Sequence, residues 1–195
     1  MLQLVCCVLL NIAAKFGAGH RRTGGGNIAK AKRMALLGIM LAIVFVVSTL
    51  EKMLPPFPFM PPSTSIGLAN VAVMYTAFFI GGKDAFALNM LKAALIALSR
   101  GPIAGALSLA GGLLSVCAIV ILIKAFGNQI SAVMISVASA MAHNIGQLAV
   151  FAALAGASAA SYYFPFLMIV SVFLGIITGI VLDAVLPALK KGGYI

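Results

Sequence analysis

From Met34 onward the sequence is a succession of long apolar runs, each closed by glycine, proline or a small charged cluster. This pattern constrains the fold more than any other feature. In lipid a backbone has no water to pair with, so each run must satisfy its own hydrogen bonds as a helix. Six helices are expected, over about Met34–Leu50, Ile66–Ile80, Ala85–Ser99, Ile103–Phe126, Ser131–Leu154 and Tyr163–Leu189. Between them stand the proline-rich Pro55–Pro62, then Gly81-Gly82-Lys83-Asp84, Arg100-Gly101-Pro102, Gly127-Asn128 and Gly156–Ser161; residues of these types stop helices. At 63% apolar and 8% charged, with a mean hydropathy of +1.18, the chain is far from a soluble domain, which is about 45–50% apolar and about 25% charged. At about 20 residues per span, six helices use roughly 120 residues and leave only short loops. The expected fold is an all-α membrane protein of six transmembrane helices. A single membrane domain, 34–190, follows a lead at 1–33 and precedes a short tail at 191–195.

Leu2–Ala14 is apolar but short for a span. No basic segment precedes it and no cleavage-like site follows, so it reads as a surface-lying or disordered lead rather than a signal. Lys15–Arg33 carries six basic residues and no acid, the pattern of a flexible juxtamembrane segment drawn to anionic lipid; nucleic acid is not the expected partner. Basic residues also orient the bundle. With the N-terminus cytoplasmic, ten Lys and Arg fall inside, Lys52 and Arg100 fall outside, and Lys92 lies within the membrane. That bias places both termini in the cytoplasm, in a multi-pass protein of the plasma membrane, of prokaryotic type.

The acids exclude several chemistries. Glu51, Asp84 and Asp183 are the only three, too few and too scattered for paired-carboxylate hydrolysis or for a Mg²⁺–diphosphate site. Cys6, Cys7 and Cys117 form neither a CxxC nor a zinc pattern, and no phosphate-binding GxxxxGK[ST] loop is present. No motif calls for a metal or a cofactor. The chain reads as a non-enzyme.

Polar residues inside the apolar runs are costly and usually face a cavity or a partner. Asn89 and Lys92 share a face of the third helix, and His143 and Gln147 share one of the fifth, with Asn144 adjacent. Asn70 sits in the first turns of the second helix and Arg100 ends the third. In the assigned orientation all seven fall at mid-membrane or in the outer half. They are the candidate substrate-binding residues, lining a cavity open to the outside whose excess of donors suits an anion. Plainer roles stay open: His143 on a backbone carbonyl, Asn70 and Gln147 as glue between helices, Lys92 reaching for an interface, and Arg100 as an interface anchor. Small residues also form helical faces, at Gly101, Gly105, Ser108, Gly112 and Ser115, at Ser171, Gly175 and Gly179, and at Gly38 and Ala42 with Ala35 nearby. Such faces let helices pack closely, and the one on the first helix is the candidate for docking a partner subunit.

Three stretches together carry a resemblance: Pro62-Ser63-Thr64-Ser65-Ile66-Gly67-Leu68-Ala69-Asn70, Ser108-Leu109-Ala110-Gly111-Gly112-Leu113-Leu114-Ser115 and Ala142-His143-Asn144-Ile145-Gly146-Gln147. In order and spacing they resemble the Gx transporter family, also labelled heptaprenyl diphosphate synthase component I, over about residues 30–190. That family is similar to the substrate-binding S components of energy-coupling factor (ECF) transporters. The resemblance implies a six-helix membrane subunit that captures a small, vitamin-like molecule from outside, a transmembrane coupling protein and two cytoplasmic ATPases as partners, docking through Ala35, Gly38 and Ala42, and a lid at Pro55–Pro62. The alternative is a non-catalytic membrane accessory subunit of isoprenoid, quinone or flavin-linked redox metabolism.

Overall fold

The computed structural model describes the backbone of residues 26–53, 69–126 and 130–191. Among these residues every element is a helix: α1 (Gly26–Met53), α2 (Asn70–Phe79), α3 (Gly82–Arg100), α4 (Pro102–Phe126), α5 (Ala132–Ala155) and α6 (Ala157–Lys191). Each expected run holds one of them. The apolar lead at Leu2–Ala14, the lid at Pro55–Pro62 and the Gly127-Asn128 stop lie outside the described residues.

Several ends differ from expectation by three or four residues, and two starts, those of the first and sixth helices, differ by more. The helix of the first run starts at Gly26, so the last part of the basic segment is helical rather than flexible. Ile28, Ala29, Ala31 and the long side chains of Lys30, Lys32 and Arg33 tolerate a helix well. Arg33 also gains a partner there: its Nε lies 3.0 Å from both carboxylate oxygens of Asp84 and its Nη2 lies 2.6 Å from Oδ2. The sixth helix starts at Ala157 instead of after Ser161. Gly156 alone makes the turn, at φ +95°, a conformation that favours glycine. Gly101 does the same between α3 and α4 at φ +94°. A single residue thus replaces the expected loop, and Pro165 is carried inside a long helix, as membrane helices permit.

Contacts along the helices define their directions. Gly105 faces Ala97, Gly112 faces Asn89 and Gly82 faces Val120, so α3 and α4 run antiparallel along their length. Gly111 against His143 and Ser115 against Ser139 pair α4 with α5 in the same sense, and Gly175 against Val137 and Gly179 against Val133 pair α5 with α6. Arg33 meets Asp84 and Arg100 meets Ser48, so α1 and α3 run parallel. The helices α3 to α6 therefore alternate in direction, as alternating spans would.

Burial is the reverse of that in a soluble protein. Lys92 is 1% exposed while Leu98 on the same helix is 86% exposed. Asn89, His143, Asn144 and Gln147 are buried, whereas Phe45, Ile121, Met134, Phe173 and Ile180 lie on the outside. Apolar surface on this scale marks an interaction surface, and lipid is the surrounding it suits. Within the bundle, Met40, Val44, Val47, Val73, Leu88, Val116, Ile119 and Ile135 form one apolar cluster, and Leu107, Leu148, Phe151 and Leu167 form a second.

Among the described residues four helices are long and apolar enough to cross a membrane: α1 over Arg33–Glu51, α4, α5, and α6 over Ala157–Ile180. This suits a multi-pass membrane protein. The other two fall short of the expected six for different reasons. The ten residues of α2 cover about 15 Å, half the hydrocarbon thickness. The third helix, α3, is long enough, but it carries Lys83, Asp84, Lys92 and Arg100. Its charged residues are tolerated because Asp84 and Lys92 are buried against protein rather than lipid.

Candidate functional site

The polar layer depends on two adjacent glycines of α4. A Cβ on Gly112 would collide with the Asn89 amide, so glycine is what allows Asn89 of α3 to lie against α4. A Cβ on Gly111 would lie 2.8 Å from the His143 carbonyl oxygen and 2.9 Å from the Gln147 side chain. Gly146 answers from α5, where an added Cβ would lie 2.6 Å from the Ala110 carbonyl oxygen. The helices touch backbone to backbone here, as small residues allow in membranes. Polar side chains of α3 and α5 are thereby brought to the two sides of one α4 turn.

On the α5 side, the 143/147 spacing closes as expected: Gln147 Nε2 and His143 Nε2 are 2.9 Å apart. Asn144 Nδ2 donates to Leu167 O at 3.2 Å and to Ser171 Oγ at 2.6 Å, tying α5 to α6. Asn70 Nδ2 donates to Ser115 Oγ at 2.7 Å, and Ser115 Oγ lies 2.8 Å from Ser139 Oγ, which links α2, α4 and α5. Asn70 and Asn144 thus act as interhelical glue whatever else they do.

A cavity of about 30 Å³ opens between α2, α5 and α6, lined by Asn70, Ser136, Ser139, His143, Asn144, Ser171, Thr178 and apolar neighbours. Asn70 Oδ1, Ser136 Oγ and Asn144 Oδ1 are buried without a hydrogen-bond partner among the described residues. The volume suits a water or two. Organic ligands commonly occupy about 300–1,000 Å³, so in this conformation the cavity is closed to a vitamin-sized molecule.

On the α3 side, Lys92 is fully buried and its ammonium has no hydrogen-bond partner among the described residues; nor have the Asn89 amide and the Ser108 hydroxyl. The antiparallel register sets Lys92 close to Ser108. Glu51 and Arg100 are the charges that act on Lys92. Glu51 is buried near the end of α1, where Oε1 accepts from Ala69 N at 3.2 Å. Arg100 donates to Ser48 O, one turn before Glu51, so it anchors the end of α3 to α1.

The seven candidate residues therefore divide. Asn70, His143 and Asn144 line the cavity; Asn89, Lys92 and Arg100 gather at the α1–α3–α4 side; Gln147 joins His143 between them. Beyond Glu51, which the sequence offers as the one outer acid available to Lys92 and Arg100, the candidate set left out Ser136, Ser139 and Ser171. The last three were detectable, since Ser136, Ser139, His143 and Gln147 recur at helical spacing on α5 and Ser171 begins the small face of α6. Among the described residues no cluster of three or more His, Cys, Asp or Glu could hold a metal.

Small faces also divide. On α4 and α6 they are consumed by packing: Gly105 against Ala97, Gly112 against Asn89, Gly175 against Val137. On α1 the face is left open by the described residues. Ala35, Gly38 and Ala42 are exposed, and none of the described residues lies within 4 Å of a Cβ placed on Gly38.

No curated relative and no solved structure matches the chain. A family model described as heptaprenyl diphosphate synthase component I matches residues 40–185, which spans α1 from Met40 to most of α6 and includes every candidate binding residue. That match covers most of the molecule, and the chain belongs to the heptaprenyl diphosphate synthase component I family.

Proposed function

We propose that this protein is a substrate-binding membrane subunit, of the S-component type, that takes up a small anionic or vitamin-like molecule across the plasma membrane and is energised by separate ATPase partners. The observation that carries this reading is the fully buried ammonium of Lys92, which, like the Asn89 amide and the Ser108 hydroxyl, has no hydrogen-bond partner among the described residues. A charge held there without a hydrogen bond is expensive, and a ligand that pairs with it recovers the expense. Asn70, His143, Asn144 and Gln147 orient polar groups, and the chain itself performs no catalysis. The domain is the membrane bundle of 34–190, with the flanking lead and tail outside it and both termini cytoplasmic.

The open face of Ala35, Gly38 and Ala42 supports a coupling protein as partner, because the equivalent faces on α4 and α6 are already used. Opening of the closed cavity is then the step that partner would drive. Pull-down from native membranes tests this: a transmembrane coupling protein with two ATPases is expected, and its loss with Gly38→Leu. A second reading is favoured by the family's printed description, component I of a synthase. It makes the chain a non-catalytic membrane partner of an isoprenoid enzyme, and it predicts a soluble prenyl synthase in the same pull-down with no ATPase.

A further inference from the structure

The cavity between α2, α5 and α6 offers acceptors in excess of donors. Ser171 Oγ donates to Leu167 O at 2.6 Å, and Thr178 Oγ1 donates to Leu174 O at 2.6 Å. Both hydroxyls have spent their hydrogens on their own helix and keep lone pairs. Asn144 Nδ2 donates to Leu167 O and to Ser171 Oγ, which fixes the amide with Oδ1 as its free end. That oxygen is buried without a hydrogen-bond partner among the described residues, and so are Asn70 Oδ1 and Ser136 Oγ. Asn70 Nδ2 is taken by Ser115, whose hydroxyl also meets that of Ser139. His143 lines the same space with Nε2 turned to Gln147. Side-chain oxygens of Asn70, Ser136, Ser139, Asn144, Ser171 and Thr178 thus surround a volume of about 30 Å³.

We infer that this cavity is a binding site for one small monovalent cation, sodium, held by Asn70 Oδ1, Asn144 Oδ1 and Ser136 Oγ, with the hydroxyl oxygens of Ser139, Ser171 and Thr178 completing its shell. An amide oxygen accepts and does not donate, so an anion is the wrong occupant. The volume, that of a water or two, limits the cation to a single ion. Hard cations take oxygen ligands, but the divalent ones take carboxylates among them, and no carboxylate lines this space. Monovalent ions inside membrane proteins are held by oxygen dipoles alone. Buried acceptors without partners are costly, and one sodium ion satisfies all three together. The ion ties α2 to α5 and α6. This inference goes beyond the uptake reading and does not involve Lys92, which is not among the lining residues.

The test uses the full chain in a neutral detergent, with sodium, potassium and choline chlorides at equal ionic strength, and the melting temperature as the readout. Ligands that bind only the folded state raise it in a saturable way. Sodium should raise the midpoint by about 3–5 °C over choline near ten times its dissociation constant, and the larger potassium ion by less. Ser136→Ala deletes an oxygen that holds no hydrogen bond among the described residues, and it should weaken the apparent sodium affinity by about tenfold. Ser161→Ala, whose hydroxyl bonds Ser158 O outside the cavity, should leave the response unchanged. Where Ser136→Ala does not fold, Thr178→Val takes its place, and where neither folds the order of the three cations on the wild type decides alone. No rise above choline would assign the cavity to water and overturn the inference. An equal rise with potassium, or a sodium response unchanged in Ser136→Ala, overturns it as well. Neither the Lys92 variants nor the pull-down of ATPases depends on these results, so failure here is distinguishable from failure of the uptake reading.

Discussion

At the scale of single residues, the cost of a methyl group separates packing glycines from open ones. An added Cβ on Gly146 falls 2.6 Å from the Ala110 carbonyl oxygen and 2.8 Å from Gly111 Cα. Both obstacles are backbone, so α4 and α5 must separate. Gly146→Ala should destabilise the protein by about 1–3 kcal/mol, the usual cost of overpacking, read as a lowered thermal midpoint in detergent. Gly38→Ala meets nothing and should change stability by no more than about 0.5 kcal/mol. Asn144 gives a third case: Asn144→Leu removes hydrogen bonds to Leu167 O and Ser171 Oγ and should cost about 0.6–1.7 kcal/mol, the range for polar contacts between membrane helices. A stability change at Gly38 equal to that at Gly146 would remove the distinction between an open and a consumed face.

At the scale of elements, the sequence is most informative where an apolar run meets a strong breaker. The helices at Ile103–Phe126 and Ser131–Leu154 are found within a residue of their expected ends because Arg100-Gly101-Pro102 and Gly127-Asn128 leave little choice. It is least informative where helix and loop compete weakly. Small residues between Gly156 and Ser161 resemble a loop by composition, yet Gly156 makes the turn alone and Ala157–Ser161 join α6. Inserting an L-residue there is strained, so Gly156→Val should lower the midpoint although nothing lies near the added atoms. The His143–Gln147 contact was legible because positions four apart share a helical face. Arg33 with Asp84 and Glu51 with Ala69 were not, because each joins segments far apart in sequence that only the packed bundle brings together. Asn70 with Ser115 and Ser139 was half legible: each residue lay on a recognisable face, but the order in which the faces meet is a property of the fold.

At the scale of the whole molecule, polar groups lie inside and apolar ones outside, and the two ends differ in charge. Arg33, Lys83, Asp84 and Lys124 belong to one end, and Glu51 and Arg100 to the other. The basic end should be cytoplasmic by the positive-inside bias. Single cysteines introduced at Lys83 and at Ser158 in intact cells should react oppositely with an impermeant maleimide, Ser158→Cys labelled and Lys83→Cys protected; the reverse pattern would invert the orientation. The chain's place in the heptaprenyl diphosphate synthase component I family is compatible with either proposed role, since neither requires catalytic groups from this subunit. The central claim is that the buried polar layer holds a small molecule through Lys92. Native mass spectrometry of the full chain released from detergent addresses it most directly. The account predicts a stoichiometric small-molecule adduct on the wild type that is absent from Lys92→Met. An adduct of the same mass on both proteins, or a bound prenyl synthase with no small molecule, would contradict it.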